Sequence, residues 1–201
     1  MTDLTSYDLM NAAARVAVLM DEAAAAAAEL DTERVEALDA EAISLLEALA
    51  DALPEKMSGS VVDLGAGWGY LSAHMLTRDV KAVHLVEAHD VALQCARHNV
   101  TDQRAEFHWA DATRWAPPHK VDAVVTNPPF HTGRATDPSL GRAFIVAAAR
   151  MLAPHGALWM VANRHLPYED TLTTHFAKVV DLGGDARFKL VRAERPKRAR
   201  G

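Results

Sequence analysis

The chain of 201 residues contains a single cysteine, Cys95. It can form no internal disulfide and assemble no thiolate zinc site, which excludes a secreted disulfide scaffold and a zinc finger together. No apolar run approaches the roughly 20 residues that a membrane helix needs, and no basic segment followed by an apolar one opens the chain. These absences predict a cytoplasmic protein with no membrane partner. The ten histidines are scattered, and neither H-x-x-x-H nor H-E-x-x-H spacing occurs, so no metal is expected. Glycine is missing before Gly59, which removes the commonest turn-former from the whole first segment.

The net charge of -6 argues at first sight against a nucleic-acid partner, but the charge is unevenly spread. Residues 1–60 hold 3 Lys and Arg against 13 Asp and Glu, residues 61–186 hold 11 against 13, and residues 187–201 hold 7 against 1. At physiological salt, interactions beyond about 8 Å are largely screened, so a polyanion meeting the last segment feels local positive charge. The terminal Arg195-Pro196-Lys197-Arg198-Ala199-Arg200 run reads either as a solvated tail or as a phosphate-binding one.

Alanine enrichment, including the run Ala23 to Ala28, predicts helix for the first segment. One helix carries Leu9, Met10, Ala13, Val16, Ala17 and Met20 at spacings of three and four, an apolar stripe that should pack on a neighbouring surface. A second is expected from about Ala40 to Leu53, with Asp39 as N-cap and Pro54 as stop. The reading divides the chain into an acidic helical extension over 1–56, a main domain over 57–194 and a basic tail over 195–201.

From Ser60 short apolar strands alternate with helical stretches. Strands are predicted at Val61–Leu64, Ala82–Glu87, Ala105–Trp109, Val121–Thr126, Ala157–Val161, Lys178–Leu182 and Phe188–Arg192. Helices are predicted near Tyr70–Thr77, His89–Asn99, Leu140–Leu152 and Tyr168–Phe176. This alternation implies an α/β fold with a seven-stranded, mostly parallel sheet covered on both faces. Trp109 and Trp159, inside strands, read as core residues, and Cys95 as a small buried side chain.

Between the first strand and its helix stands Asp63-Leu64-Gly65-Ala66-Gly67-Trp68-Gly69, a G-x-G-x-G turn. Glycine there permits the tight turn and lets a ligand approach the backbone without a Cβ in the way. Glu87 ends the next strand, where a carboxylate can accept both hydroxyl protons of a ribose. Asp111, after the third strand, can meet the exocyclic amine of an adenine. All three lie at the carboxyl ends of consecutive parallel strands, where open α/β sheets bind ligands.

In these features the chain resembles the class I S-adenosylmethionine-dependent methyltransferases, with their Rossmann-like fold. The resemblance implies S-adenosyl-L-methionine as cofactor. Asp63, Gly65, Ala66, Gly67, Trp68 and Gly69 would lie beside its methionine part, Glu87 on its ribose, and Asp111 with Ala112 at its adenine.

The fourth strand runs into Asn127-Pro128-Pro129-Phe130. An amine on an aromatic base, or an amide, is a poor nucleophile because its lone pair is delocalised. Two fixed acceptors, the side-chain oxygen of Asn127 and the carbonyl of Pro128, can draw its N–H bonds aside and turn the lone pair toward an incoming methyl group. Prolines with φ near -65° hold that geometry in advance, and Phe130 can stack on a planar substrate. These four are the catalytic candidates, and Asn127 is expected to border the cofactor as well.

Such an Asn-Pro-Pro-aromatic motif resembles that shared by methyltransferases acting on adenine N6, guanine N2 and the side-chain amide of glutamine. Three stretches narrow the choice: Asn127 to Gly133, Val161-Ala162-Asn163-Arg164-His165-Leu166-Pro167-Tyr168, and Arg187-Phe188-Lys189-Leu190-Val191-Arg192-Ala193. From roughly Leu38 to Ala193 they resemble the ribosomal RNA small-subunit methyltransferase C family, which acts on guanine N2. Full-length members of that family resemble a duplicated pair of domains, whereas here about 60 acidic, helical residues precede the glycine loop. Glu33-Arg34-Val35-Glu36-Ala37 stands where the family has a Gly-Val-Phe-Ser-like segment. The resemblance implies a single-domain form of an rRNA guanine-N2 methyltransferase with RNA, as ribosomal RNA or small ribosomal subunit, as substrate. His131 and His165 lie in the family-like loops, at the surface or against that substrate. An adenine-N6 or protein glutamine-N5 enzyme, a non-catalytic cofactor-binding module, and a partner-binding protein working through the alanine-rich helices are the alternatives.

Overall fold

The computed structural model describes residues 43–129, 131–132, 135–136 and 138–198. The first expected helix, the Asp39 cap, Phe130 and the last three residues of the basic tail lie outside the described residues.

The chain enters through helix α1 (43–52). It continues as β1 (Gly59–Leu64), α2 (Tyr70–Leu76), β2 (Val80–Glu87), α3 (Asp90–Asn99), β3 (Ala105–Trp109) and β4 (Val121–Thr126). A two-residue pair follows, β5 (His131–Thr132) with β6 (Ala135–Thr136), and then α4 (Pro138–Met151), β7 (Leu152–Asn163), α5 (Glu169–His175), β8 (Phe176–Gly184) and β9 (Phe188–Pro196). All seven expected strands and four helices of the main domain are present. β3 and β4 have the expected bounds and the other five run longer than their apolar centres, β7 most of all, because it leaves α4 directly. The β5–β6 pair is too short to carry a period-2 signal in the sequence.

The sheet order is β3-β2-β1-β4-β7-β9-β8. β3, β2, β1, β4 and β7 pair in parallel, and β9 runs antiparallel between β7 and β8. This is the Rossmann-like architecture that the resemblance implies, and its order reverses between β1 and β4, the place where such sheets open a crevice for ligands.

Alternate residues of the strands face opposite layers. Val62, Leu64, Val124, Leu158 and Met160 pack on Phe144, Ile145 and Ala148 of α4 and Leu172 of α5. Val61, Val83, Leu85, Val125 and Val161 pack on Leu71 and Met75 of α2, Ala96 of α3, and Leu49 and Ala50 of α1. Leu49 is fully buried and Leu53 and Met57 nearly so; burying a leucine stabilises a fold by roughly 1.5–3 kcal/mol. The acidic segment therefore ends in a helix built into the core, and Pro54 follows two residues after its last turn.

Candidate active site

Parallel pairing brings the expected residues to one edge. β1, β2, β3 and β4 end side by side, with Leu64 opposite Val86, Glu87 opposite Trp109 and Asp63 opposite Val125.

The glycine loop is folded back on β2. The N–H groups of Gly65 and Ala66 both donate to the Val86 carbonyl, at 2.9 and 3.1 Å, and Gly69 N–H closes the turn on Ala66. Gly65, Gly67 and Gly69 all have positive φ, where an L side chain costs roughly 1–2 kcal/mol. The three glycines differ in their surroundings. A Cβ on Gly69 would meet Val100 at 2.9 Å and one on Gly65 would meet Phe144 at 3.0 Å, but one on Gly67 would project into open space. The first two serve packing, and Gly67 leaves room for a ligand.

Glu87 pins this loop. Its Oε2 accepts the N–H of Gly67 at 2.9 Å and its Oε1 the N–H of His89 at 2.8 Å. The carboxylate is buried at the strand end with its remaining lone pairs available for hydroxyl donors. On β1, the buried Asp63 accepts the Ser72 hydroxyl on Oδ2 at 2.6 Å, while its Oδ1 is buried with no hydrogen-bond partner. Burial pushes this carboxyl up to about 7; the Ser72 hydroxyl and N–H work against the shift, and the charge of Glu87 adds to it. An orphaned acceptor beside a glycine with open space above it fits a ligand that brings a donor or a positive charge.

Asp111 follows β3 and is exposed. Its Oδ1 accepts both the N–H and the hydroxyl of Thr113, at 2.8 and 2.7 Å, and the hydroxyl bond holds its pKa below the usual carboxylate range. Ala112 beside it is buried. Trp68 contributes backbone to the loop, but its ring is buried against Ala92, Ile43, Leu46 and Tyr70, and its carbonyl accepts the Asn99 amide at 3.0 Å.

Trp109 corrects the expectation of a core residue. It is 68% exposed, because it is the last residue of an edge strand, and its indole N–H donates to the Ala88 carbonyl at 2.9 Å. This places an open aromatic ring next to Glu87. The signal that could have found it was its position at a strand's carboxyl end, not its residue type. Trp159 is buried as expected.

β4 is fastened to β1 at the crevice, where the Thr126 hydroxyl donates to the Leu64 carbonyl at 2.6 Å across the buried junction. Asn127, half-buried, is the next residue, followed by buried Pro128 and half-buried Pro129. The motif thus leaves the sheet one strand from the glycine loop. Arg164 and His165 lie beyond β7, where Asn163 Oδ1 accepts the His165 N–H at 3.0 Å. No helix among the described residues is long and apolar enough to cross a membrane.

The profile of the methyltransferase small domain matches residues 34–192. Ribosomal RNA small subunit methyltransferase C of Hahella chejuensis is 36% identical over 152 residues, 74% of this chain and 44% of the relative. Ribosomal RNA large subunit methyltransferase G of Streptomyces avermitilis is 36% identical over 144 residues, 69% of this chain and 38% of the relative. The chain therefore spans less than half the length of these curated relatives. Among solved structures, the T. thermophilus 16S rRNA N2 methyltransferase RsmC, in complex with AdoMet and guanosine, superposes with a TM-score of 0.63 at 30% identity, over 75% of this chain and 42% of that one. The N-methyltransferase NodS of Bradyrhizobium japonicum shares the fold at a TM-score of 0.57 and 17% identity, over 79% of this chain and 88% of that one. By its profile, sheet order and glycine loop, the chain belongs to the methyltransferase small domain family, whose methyl donor is S-adenosyl-L-methionine.

Proposed function

We propose that the protein transfers a methyl group from S-adenosyl-L-methionine to the exocyclic N2 amine of a guanine in small-subunit ribosomal RNA. The observation that carries this reading is the emergence of Asn127-Pro128-Pro129 from β4 immediately after Thr126 is tied to Leu64, one strand from the glycine loop. Likeness to small subunit methyltransferase C and to a structure holding AdoMet and guanosine supports the choice of base.

The residues divide the work. Asp63 and the backbone around Gly67 take the methionine end, Glu87 the ribose hydroxyls, and Asp111 with Ala112 the adenine, while Trp68 lends its backbone. When bound, the sulfonium supplies an electrophilic methyl whose departure leaves a neutral thioether. The Asn127 oxygen and the Pro128 carbonyl accept the two N–H bonds of the substrate amine, so its lone pair faces the methyl carbon. On transfer the N–C bond would form as the C–S bond breaks and the extra proton would pass to water afterwards, so no general base would be required. Pro129 holds the turn, and Phe130 stacks on the base.

The test is incubation with methyl-labelled cofactor and stripped small-subunit RNA, assembled small subunits or large-subunit RNA, followed by nucleoside analysis. N2-methylguanosine in small-subunit RNA is the expected product. Label in N6-methyladenosine or in protein would overturn the choice of acceptor, and label confined to large-subunit RNA would overturn the choice of subunit. Cofactor binding without any transfer would identify a binding module.

A further inference from the structure

A second cluster of chemistry-bearing side chains lies away from the cofactor edge. β2 and β3 run parallel with His84 opposite Glu106 and Val86 opposite His108. Residues two apart on a strand share a face, so the register gathers His84, Glu106 and His108 on one side of the sheet. His84 Nδ1 lies 3.2 Å from His108 Nε2 and 3.2 Å from Glu106 Oε2, and the three ligand atoms fall within 4.8 Å of one another.

We propose that His84, Glu106 and His108 form a divalent transition-metal site, of the zinc class, that clasps the edge strand β3 to β2. Two imidazoles and one carboxylate are the donor set of three-protein-ligand zinc sites, with water in the fourth position. Bond lengths of about 2.0–2.2 Å in tetrahedral geometry put neighbouring ligand atoms about 3.3 Å apart, and two edges of the cluster already have nearly that length. The third closes through Glu106, whose side chain is 53% exposed and free to change rotamer.

The surroundings are those of an outer shell. With Nδ1 on the metal, His84 turns Nε2 toward the Ser60 hydroxyl, 3.1 Å away, which fixes ring orientation and tautomer. Ser60 is anchored in turn by its N–H on Asp122 Oδ2 at 3.0 Å. The Trp115 ring covers the site, with centroids 4.6 Å from His108 and 5.7 Å from His84.

His84 precedes Glu87 by three residues, about 10 Å along a strand, and points to the opposite face. The site is therefore separate from the cofactor edge, and its occupancy does not enter methyl transfer.

The experiment titrates the metal-stripped full chain with zinc chloride by calorimetry and with cobalt chloride by visible absorption, and follows Tm. One ion per chain, tetrahedral cobalt bands and a rise in Tm are expected. Glu106→Gln and His108→Gln should each weaken binding at least about tenfold, and Ser60→Ala about 10–100-fold, with cofactor affinity unchanged. Glu106 is exposed, so its variant folds even where a change at buried His84 does not. Absence of binding, or Glu106→Gln and His108→Gln chains that bind as the parent does, would overturn the site.

Discussion

The carboxylate of Glu87 reaches back across 20 residues to accept the N–H of Gly67 at 2.9 Å, so the residue assigned to the ribose also sets the shape of the loop assigned to the methionine part. Two N–H donors point at its two oxygens. Glu87→Gln would turn an amide NH2 against one of them, so the near-isosteric change breaks a bond and removes the charge. Hydrogen bonds to charged groups contribute about 1.5–3 kcal/mol; S-adenosylmethionine affinity by calorimetry should fall about tenfold or more, while Glu87→Asp retains part of it.

Asp63 is expected to make cofactor binding pH-dependent. In the folded chain it keeps its proton up to about 7, against an ordinary 3.8, so the native state binds more protons than the unfolded state between those values. Its contribution to stability is present below 3.8 and is lost as pH rises toward 7. A cationic cofactor favours the carboxylate, so affinity should strengthen as pH rises to about 7, by up to about tenfold per pH unit. Asp63→Asn should flatten both the affinity profile and the slope of Tm against pH; an unchanged profile in that variant would remove Asp63 from the linkage.

Gly67 and Gly69 are expected to fail differently. At Gly67 an added methyl meets nothing within 4 Å, so Gly67→Ala costs only the positive-φ strain of roughly 1–2 kcal/mol while it obstructs the ligand. At Gly69 the methyl runs into Val100 and Ala96, so Gly69→Ala should lower Tm further, by displacing α3. Thermal melts with and without cofactor separate the two: ligand stabilisation disappears in the first and persists in whatever remains folded of the second.

Asn127→Ala should leave cofactor affinity near that of the parent and reduce kcat by at least about a hundredfold, the scale of losing one preorganised hydrogen-bonding group. Turnover that survives the change would refute the acceptor role.

The basic tail is partly anchored. Pro196 pairs with Phe176, and Lys197 donates its N–H to the His175 carbonyl at 2.8 Å and its ammonium to the Thr173 carbonyl at 2.6 Å. Removing residues 195–201 would cut into β9, so removing 198–201 is the cleaner test of a role in RNA binding. The salt slope of RNA affinity should drop by about 0.7 for each phosphate that the shortened tail no longer neutralises, with cofactor affinity unchanged.

The strands, the G-x-G-x-G turn, Glu87 at a strand end and Asn127-Pro128-Pro129 after β4 could all be placed from the amino-acid sequence alone, because each is a local event. Apolar runs, glycines and prolines act on their own backbone and carry their signal within a few residues. Other properties needed the tertiary structure, because they arise between segments. Whether Trp109 is core or surface depends on β3 being the sheet edge. The raised pKa of Asp63 depends on how completely the packed layers exclude water, and the place of α1 on which layer receives Leu49. His84 and Glu106 stand 22 residues apart with no metal-binding spacing, and only the parallel register of β2 on β3 makes them neighbours. Periodicity specifies which face a side chain takes, but pairing between distant strands decides what it meets there.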